Sequence, residues 1–314
     1  MRISGITYVP RKSYRSINII LFFITIFLFA VVGVMVVSGY MGWKLTHPEK
    51  IAITAFAPSK IPDFKDVTFG DVKKSVQLKG WYFQAGDSDK TVILAHGYKL
   101  NRLQFGEKTL DMIKSLLAKG YNVLAFDFRN SGESSGKLTT VGIFEKDDLL
   151  GAVKYVKSTG SKNVVLMGFS MGAATSIMAA AESTDVNGVI ADSPYSDLSE
   201  YLDSSLDKWS FLPPIPFNKT TTFSVRLLTG IDPATIIPKK VITKISPRPL
   251  LLIHSKEDTL IPVSNSQDLY SIYSKTNTDK TELWETKGTG HVGSYEKYPQ
   301  EYMEKVFKFL DKIK

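Results

Sequence analysis

The sequence predicts an α/β protein: a mostly parallel sheet, covered by helices on both faces and tethered by one N-terminal transmembrane helix. Three observations predict it. Short apolar runs alternate with stretches of helical periodicity from about residue 66 to the C-terminus, the pattern of strands buried on both faces. An uncharged apolar run, Ile17 to Val37, precedes them. A Gly-Phe-Ser-Met-Gly turn at 168–172 joins an apolar strand to an Ala-rich helix.

The chain has 314 residues, enough for one large domain with an accessory segment. It has no cysteine, which excludes a disulfide scaffold, a thiolate metal site and a cysteine nucleophile. The net charge is +8, and four of the basic residues (Arg2, Arg11, Lys12, Arg15) precede Glu49, the first acidic residue. The remaining excess is spread along the chain. There is no dense Lys/Arg block with interleaved aromatics, so a nucleic-acid partner is not expected.

The run from Ile17 to Val37 carries no charge, and only Asn18 and Thr25 are polar. About 20 apolar residues in a helix span a hydrocarbon core of roughly 30 Å. A buried core helix is rarely apolar on every face. A cleaved signal peptide has a shorter apolar region and a small-x-small site, whereas this run leads into Ser38-Gly39-Tyr40 without an Ala-x-Ala. An uncleaved anchor is therefore expected, with Tyr40 and Trp43 at the interface. The basic flank places residues 1–16 in the cytoplasm and the rest of the chain outside, as a single-pass protein of the cell membrane. Residues 38–65, punctuated by Pro48, Pro58 and Pro62, read as a linker.

The domain proper is expected over 66–314. Strand-like runs are Val67–Gly70, Val76–Phe83, Thr91–Ala95, Tyr121–Phe126, Asn163–Met167, Val186–Ala191, Leu250–Ile253 and Thr281–Thr286. Helical periodicity covers Phe105–Lys119, Val141–Ser158, Ser170–Glu182, Ser264–Lys275 and Glu296–Lys312. The stretch of about 196–233, with Trp209–Phe217 (WSFLPPIPF), breaks the alternation and is longer than an ordinary connection. It reads as a short helical cap over the strand ends, against a mobile surface insertion as the alternative.

Gly168-Phe169-Ser170-Met171-Gly172 fits G-x-S-x-G, a tight strand-to-helix turn. Its neighbours must be small, and it lifts a serine hydroxyl to a helix N-terminus. A serine nucleophile needs a base. Of the four histidines, His47 lies in the linker, while His96 and His254 end strands. His291 lies in a Gly-rich loop after the last strand, where catalytic groups collect. His291 is the candidate base, and His96 is expected to brace its loop. The base needs an acid to fix its tautomer. Asp258, just after the Leu250–Ile253 strand, is the candidate, with Glu257 as a fallback. The chain order is then Ser170, Asp258, His291. The oxyanion hole requires two backbone N–H donors, expected from Met171 and Tyr98. No metal or organic cofactor is needed for this chemistry.

Together these motifs resemble the α/β-hydrolase superfamily. His96-Gly97, the stretch Asp127-Phe128-Arg129-Asn130-Ser131-Gly132-Glu133-Ser134, the GFSMG turn and the Asp258 and His291 loops occur in the family's order. The second resembles its D-x-R-G-x-G-x-S pattern, with Asn130 in place of the first Gly. His254-Ser255 stands where many relatives have His-Gly. The layout looks like that of membrane-anchored bacterial serine hydrolases related to esterases and prolyl-oligopeptidase-type peptidases. The resemblance implies an eight-stranded sheet and an acyl-enzyme mechanism. The substrate it implies is a small-molecule acyl ester, a lipid-derived ester or a short peptide. A peptidase or acyltransferase would use the same triad. A catalytically silent binding protein of this fold is the non-enzymatic alternative; a structural surface protein is not supported, for lack of repeats and stalk-like tracts.

Overall fold

The structure is a computed structural model that describes residues 14–313. Arg2, Arg11 and Lys12, and with them most of the basic tail expected over 1–16, lie outside the described residues.

Helix α1 (Arg15–Thr46) is followed by strands β1 (Phe64–Gly70), β2 (Gln77–Phe83) and β3 (Lys90–Ala95). Then come α2 (Glu107–Ala118), β4 (Asn122–Phe126), α3 (Ile143–Ser158), β5 (Asn163–Phe169), α4 (Met171–Glu182) and β6 (Gly188–Asp192). A helical insertion holds α5 (Leu198–Ser205), α6 (Asp207–Ser210), α7 (Pro214–Thr229) and α8 (Pro238–Val241). The chain closes with β7 (Leu250–Ser255), α9 (Ser264–Asn277), β8 (Thr281–Thr286), α10 (Ser294–Lys297) and α11 (Pro299–Leu310).

The strands form one eight-stranded sheet in the order β1-β2-β4-β3-β5-β6-β7-β8. β2 runs antiparallel to both neighbours, and every other pairing is parallel. Residues of a strand alternate between faces, and here both faces are buried. Along β5, Val164 and Leu166 join Leu149 of α3, Ile177 of α4 and Leu269 of α9 on one side. Val165 and Met167 join Leu110 of α2 and Val306 of α11 on the other. This two-sided burial explains the uninterrupted apolar runs of the sequence. The mostly parallel sheet with helices on both faces is the fold class expected from it.

The linker and the cap differ from expectation in their bounds. The linker expected over 38–65 covers only 47–63, because α1 continues to Thr46 and β1 begins at Phe64. Ser38, Gly39 and Gly42 are poor helix formers, but packing overrides that weakness. A Cβ at Gly42 would come within 2.8 Å of Val225 Cγ2, so glycine lets α1 and α7 approach closely. The helix is also held where Ser38 Oγ meets Thr220 Oγ1 at 2.7 Å. The second difference is in the cap. Within it, α7 runs as a continuous helix from Pro216 to Thr229 after a non-helical Ile215 (φ −108°, ψ 126°), where only short helices were expected. Its Thr-rich run has weak intrinsic propensity, which hides it from a reading of local preference.

The chain leaves β3 toward one side of the sheet for β4, then crosses back to β5 on the other. Ligands of open α/β sheets bind at such a reversal, outside the carboxyl ends of the strands. The loops after β3 and β5 open there, and the cap lies over them.

Candidate active site

Ser170 follows β5 and precedes α4, with φ 53° and ψ −115°. A non-glycine residue at such a positive φ stores about 1–3 kcal/mol of strain. The two glycines of the turn make it possible. A Cβ at Gly168 would sit 2.2 Å from Gly172 O, and one at Gly172 only 2.0 Å from Ala95 O. Both approaches are to backbone, which cannot step aside. The turn is further fixed by Ser170 N donating to Asp192 O at 2.8 Å.

Ser170, His291 and Asp258 come from the ends of three different strands and form one hydrogen-bonded line. His291 Nε2 is 2.7 Å from Ser170 Oγ, and His291 Nδ1 is 2.7 Å from Asp258 Oδ2. Asp258 is buried, and its Oδ1 accepts from Leu260 N and Ile261 N, both at 2.9 Å. Burial alone would raise its pKa, but hydrogen bonds from His254 and His291, then the His291 charge and Ile261 N–H, outweigh it. They hold the carboxyl well below the usual carboxylate range. Glu257, the fallback acid, is not the partner of His291 Nδ1 and accepts from Gly288 N at 2.8 Å. It steadies the Gly-rich loop instead.

The N–H groups of Tyr98 and Met171 make no hydrogen bond among the described residues, and both residues border the same pocket as Ser170. They are free to receive an acceptor. Tyr98 is pinned through its hydroxyl, which donates to Leu45 O of α1 at 2.6 Å. His96 is fully buried, and its Nε2 accepts from Phe128 N at 3.0 Å while Nδ1 lies 2.8 Å from Gly97 O. Burial lowers its pKa, which keeps the ring neutral and able to accept there. It ties the loop after β3 to the loop after β4. His47 is the C-cap of α1 and stacks on Trp43.

Several contacts were not foreseen from sequence. His254 is a second histidine on the acid, with Nε2 3.2 Å from Asp258 Oδ2 and 2.8 Å from Ile261 O. Its Nδ1 lies 2.7 Å from Ser266 Oγ. Asp127 is a buried hub. Its Oδ1 accepts from Arg102 N at 2.7 Å, and its Oδ2 from Arg102 Nη2 at 2.6 Å and Glu133 N at 2.9 Å. Arg129 pairs with Asp148 of α3 at 2.6 Å. Asn130, standing where the family pattern has glycine, adopts φ 55°, a conformation that Asn tolerates better than most residues. Among the described residues, no group of three His, Asp or Glu side chains is placed to hold a metal.

The pocket over Ser170 is narrow, with a cavity volume of about 90 Å³. Its walls are Leu198, Leu202, Leu206 and Trp209 of the cap, Val225 of α7, Val141 and Ile261, with Leu45 and Thr46 of α1 closing one side. No Asp, Glu, Lys or Arg borders it. Such a cavity favours an apolar group next to the Ser170 hydroxyl.

Comparison with known proteins agrees with this architecture. A family model for the alpha/beta hydrolase fold matches residues 90–223. The Bacillus subtilis protein YqkD is 35% identical over 240 residues, covering 75% of this chain and 76% of that protein. The lysophosphatidylserine lipase ABHD12 of Macaca fascicularis is 28% identical over 209 residues, 61% of this chain and 48% of that protein. Among solved structures, the Pyrococcus furiosus esterase Pf2001 superposes with a TM-score of 0.70 at 33% identity, over 86% of this chain and 98% of that one.

Proposed function

Since the chain belongs to the α/β-hydrolase family, we propose that this hydrolase is a membrane-anchored serine esterase acting on an acyl ester with an apolar acyl chain. The hydrogen-bonded line Ser170–His291–Asp258 carries the reading, at 2.7 Å for both steps. His291 Nε2 takes the Ser170 proton as Oγ attacks the ester carbonyl. The N–H groups of Tyr98 and Met171 receive the oxyanion. His291 then protonates the leaving alkoxide, and water, deprotonated by the same ring, releases the acid from the acyl-enzyme. Asp258 stays ionised and fixes the ring with Nδ1–H toward itself.

The uncharged pocket supports an acyl chain over a peptide, whose backbone and charged ends call for polar subsites. The name of the lysophosphatidylserine lipase relative supports a lipid ester in particular. In this reading α1 spans the membrane, with the N-terminus in the cytoplasm and the catalytic domain outside. Protease added to intact cells then digests the domain; full protection would place it inside.

A fluorophosphonate probe tests the nucleophile. It is expected to label the wild type and neither Ser170→Ala nor His291→Ala. Labelling of Ser170→Ala would identify a different serine.

Asp258→Asn is expected to lower kcat by about 10⁴-fold, because an amide N–H toward His291 imposes the wrong tautomer. The same variant has a stability signature. A carboxyl depressed in the folded state stabilises above its unfolded pKa of about 3.9, and that contribution is lost as pH falls through the folded value. Acid titration of stability should therefore be shallower in Asp258→Asn than in the wild type.

A further inference from the structure

We propose that the outer face of cap helix α7 and the turn before it lie in the headgroup–acyl boundary of the bilayer that α1 crosses, so that the pocket fills from lipid. This rests on the membrane-anchored hydrolase reading and adds where its substrate comes from.

The apolar surface of the catalytic domain is concentrated on the cap. Phe211 and Ile215, in the turn and at the start of α7, are 93% and 87% exposed. Phe223, Leu227 and Leu228 on α7 are 57%, 69% and 62% exposed. Beyond α1 and its N-cap Tyr14, the other large hydrophobics exposed among the described residues are Ile51 and Phe64. A monomer in water seldom gathers such side chains on one element. The charges of α7 are of one sign: it carries Lys219 and Arg226 and no acidic residue, although Arg226 also faces Asp232 at 3.4 Å. An apolar face with basic flanks is the composition of a helix lying in a lipid interface.

The placement of α7 against α1 supplies the level. Ser38 meets Thr220, and a Cβ on the next residue, Gly39, would meet Leu228 at 3.8 Å. A Cβ at Gly42 would meet Val225 Cγ2 at 2.8 Å. These contacts fall just past Val37, where the apolar run ends, and where Tyr40 and Trp43 are exposed as interfacial aromatics. With α1 spanning the membrane, they set α7 at the level of the interface. The opposite side of α7 presents Thr221, Thr222 and Val225 to the pocket. One helix therefore separates the nucleophile's cavity from the position of the lipid.

The test uses the full-length chain in vesicles of phosphatidylglycerol and phosphatidylcholine. Because the chain has no cysteine, single variants Phe223→Cys, Leu227→Cys, Phe27→Cys and Asp87→Cys can each carry one nitrobenzoxadiazole label. Lipids bearing a doxyl quencher near the headgroup end of the acyl chain are expected to quench the labels at 223 and 227 and leave 87 bright. Blue-shifted but unquenched labels at 223 and 227 would mean that a second copy of the chain covers the face. Labels with a water-exposed spectrum would mean that nothing does. Either result overturns the proposal. Phe27→Cys, read with mid-chain quenchers, reports on the anchor by itself, so loss of the membrane reading is distinguished from loss of cap docking. Fluorophosphonate labelling of the same vesicles reports on the serine hydrolase reading separately. For function, Phe223→Asp with Leu227→Asp is expected to raise KM for a lipid ester presented in vesicles by about tenfold or more. Hydrolysis of a soluble short-chain ester should be unchanged, and equal effects on both substrates would overturn entry from lipid.

Discussion

Ser170→Ala is expected to lower kcat by roughly 10⁴–10⁶-fold, with KM and stability nearly unchanged. Alanine keeps the Cβ and the turn geometry, since Gly168, Gly172 and the Ser170 N–H contact to Asp192 O are untouched. What disappears is the one oxygen placed 2.7 Å from His291 Nε2. Its hydrogen bond contributes on the order of 1 kcal/mol to folding, whereas in the proposed mechanism its nucleophilicity is the reaction. In that mechanism the triad acts as a unit, so Ser170→Ala combined with His291→Ala should lose little more than either change alone. Steady-state kinetics on a p-nitrophenyl ester, with a denaturation curve for each variant, separate the two quantities. Multiplicative losses in the double variant would mean that the two residues work independently, and the mechanism proposed above would fail.

Asp127→Ala is expected to destabilise the fold by about 3–5 kcal/mol, the usual cost of leaving one partner of a buried ion pair alone. Both side chains of the Arg102–Asp127 pair are fully buried at 2.6 Å. Removing the carboxylate also orphans the N–H groups of Arg102 and Glu133. Glu133 supplies a control on the same guanidinium. It bonds Arg102 Nη2 at 2.7 Å, but its side chain is 61% exposed. Glu133→Gln should therefore cost less than about 1 kcal/mol. Urea denaturation of the two variants reads the contrast directly, and comparable losses would show that burial does not set the strength of this network.

The residues of the candidate site were the most legible part of the sequence, because each sits in a short local signature. Ser170 lies between glycines at a strand-to-helix turn, and Asp258 and His291 follow apolar strands. Local signatures survive in one dimension. The supports around them do not. Arg102 and Asp127 are far apart in sequence, and nothing in either segment names the other as partner. His254 looked like the end of a strand, and only the fold of its loop brings Nε2 to the acid at 3.2 Å. The sheet could be read strand by strand from its buried apolar runs. The C-terminal turns of α1 and the length of α7 could not, because each helix is stabilised by the other and not by its own composition. Small residues at 38, 39 and 42 look like a break in a helix until Val225 and Thr220 are packed against them.

That shared packing blurs the ownership of the N-terminal helix. Its first part is exposed and apolar enough to cross a membrane, while its last turns pack against the catalytic domain. Leu45 O accepts from the Tyr98 hydroxyl and Thr46 O from Thr139 N at 2.8 Å, and both residues border the pocket. The tether is therefore not an interchangeable part. A chimera carrying another protein's membrane helix must retain Ser38 to Thr46, and a shed form cut beyond that point leaves its pocket without one side. Substitutions in the last turns of the helix would then read as changes in substrate preference, in a segment that a domain map would file under targeting.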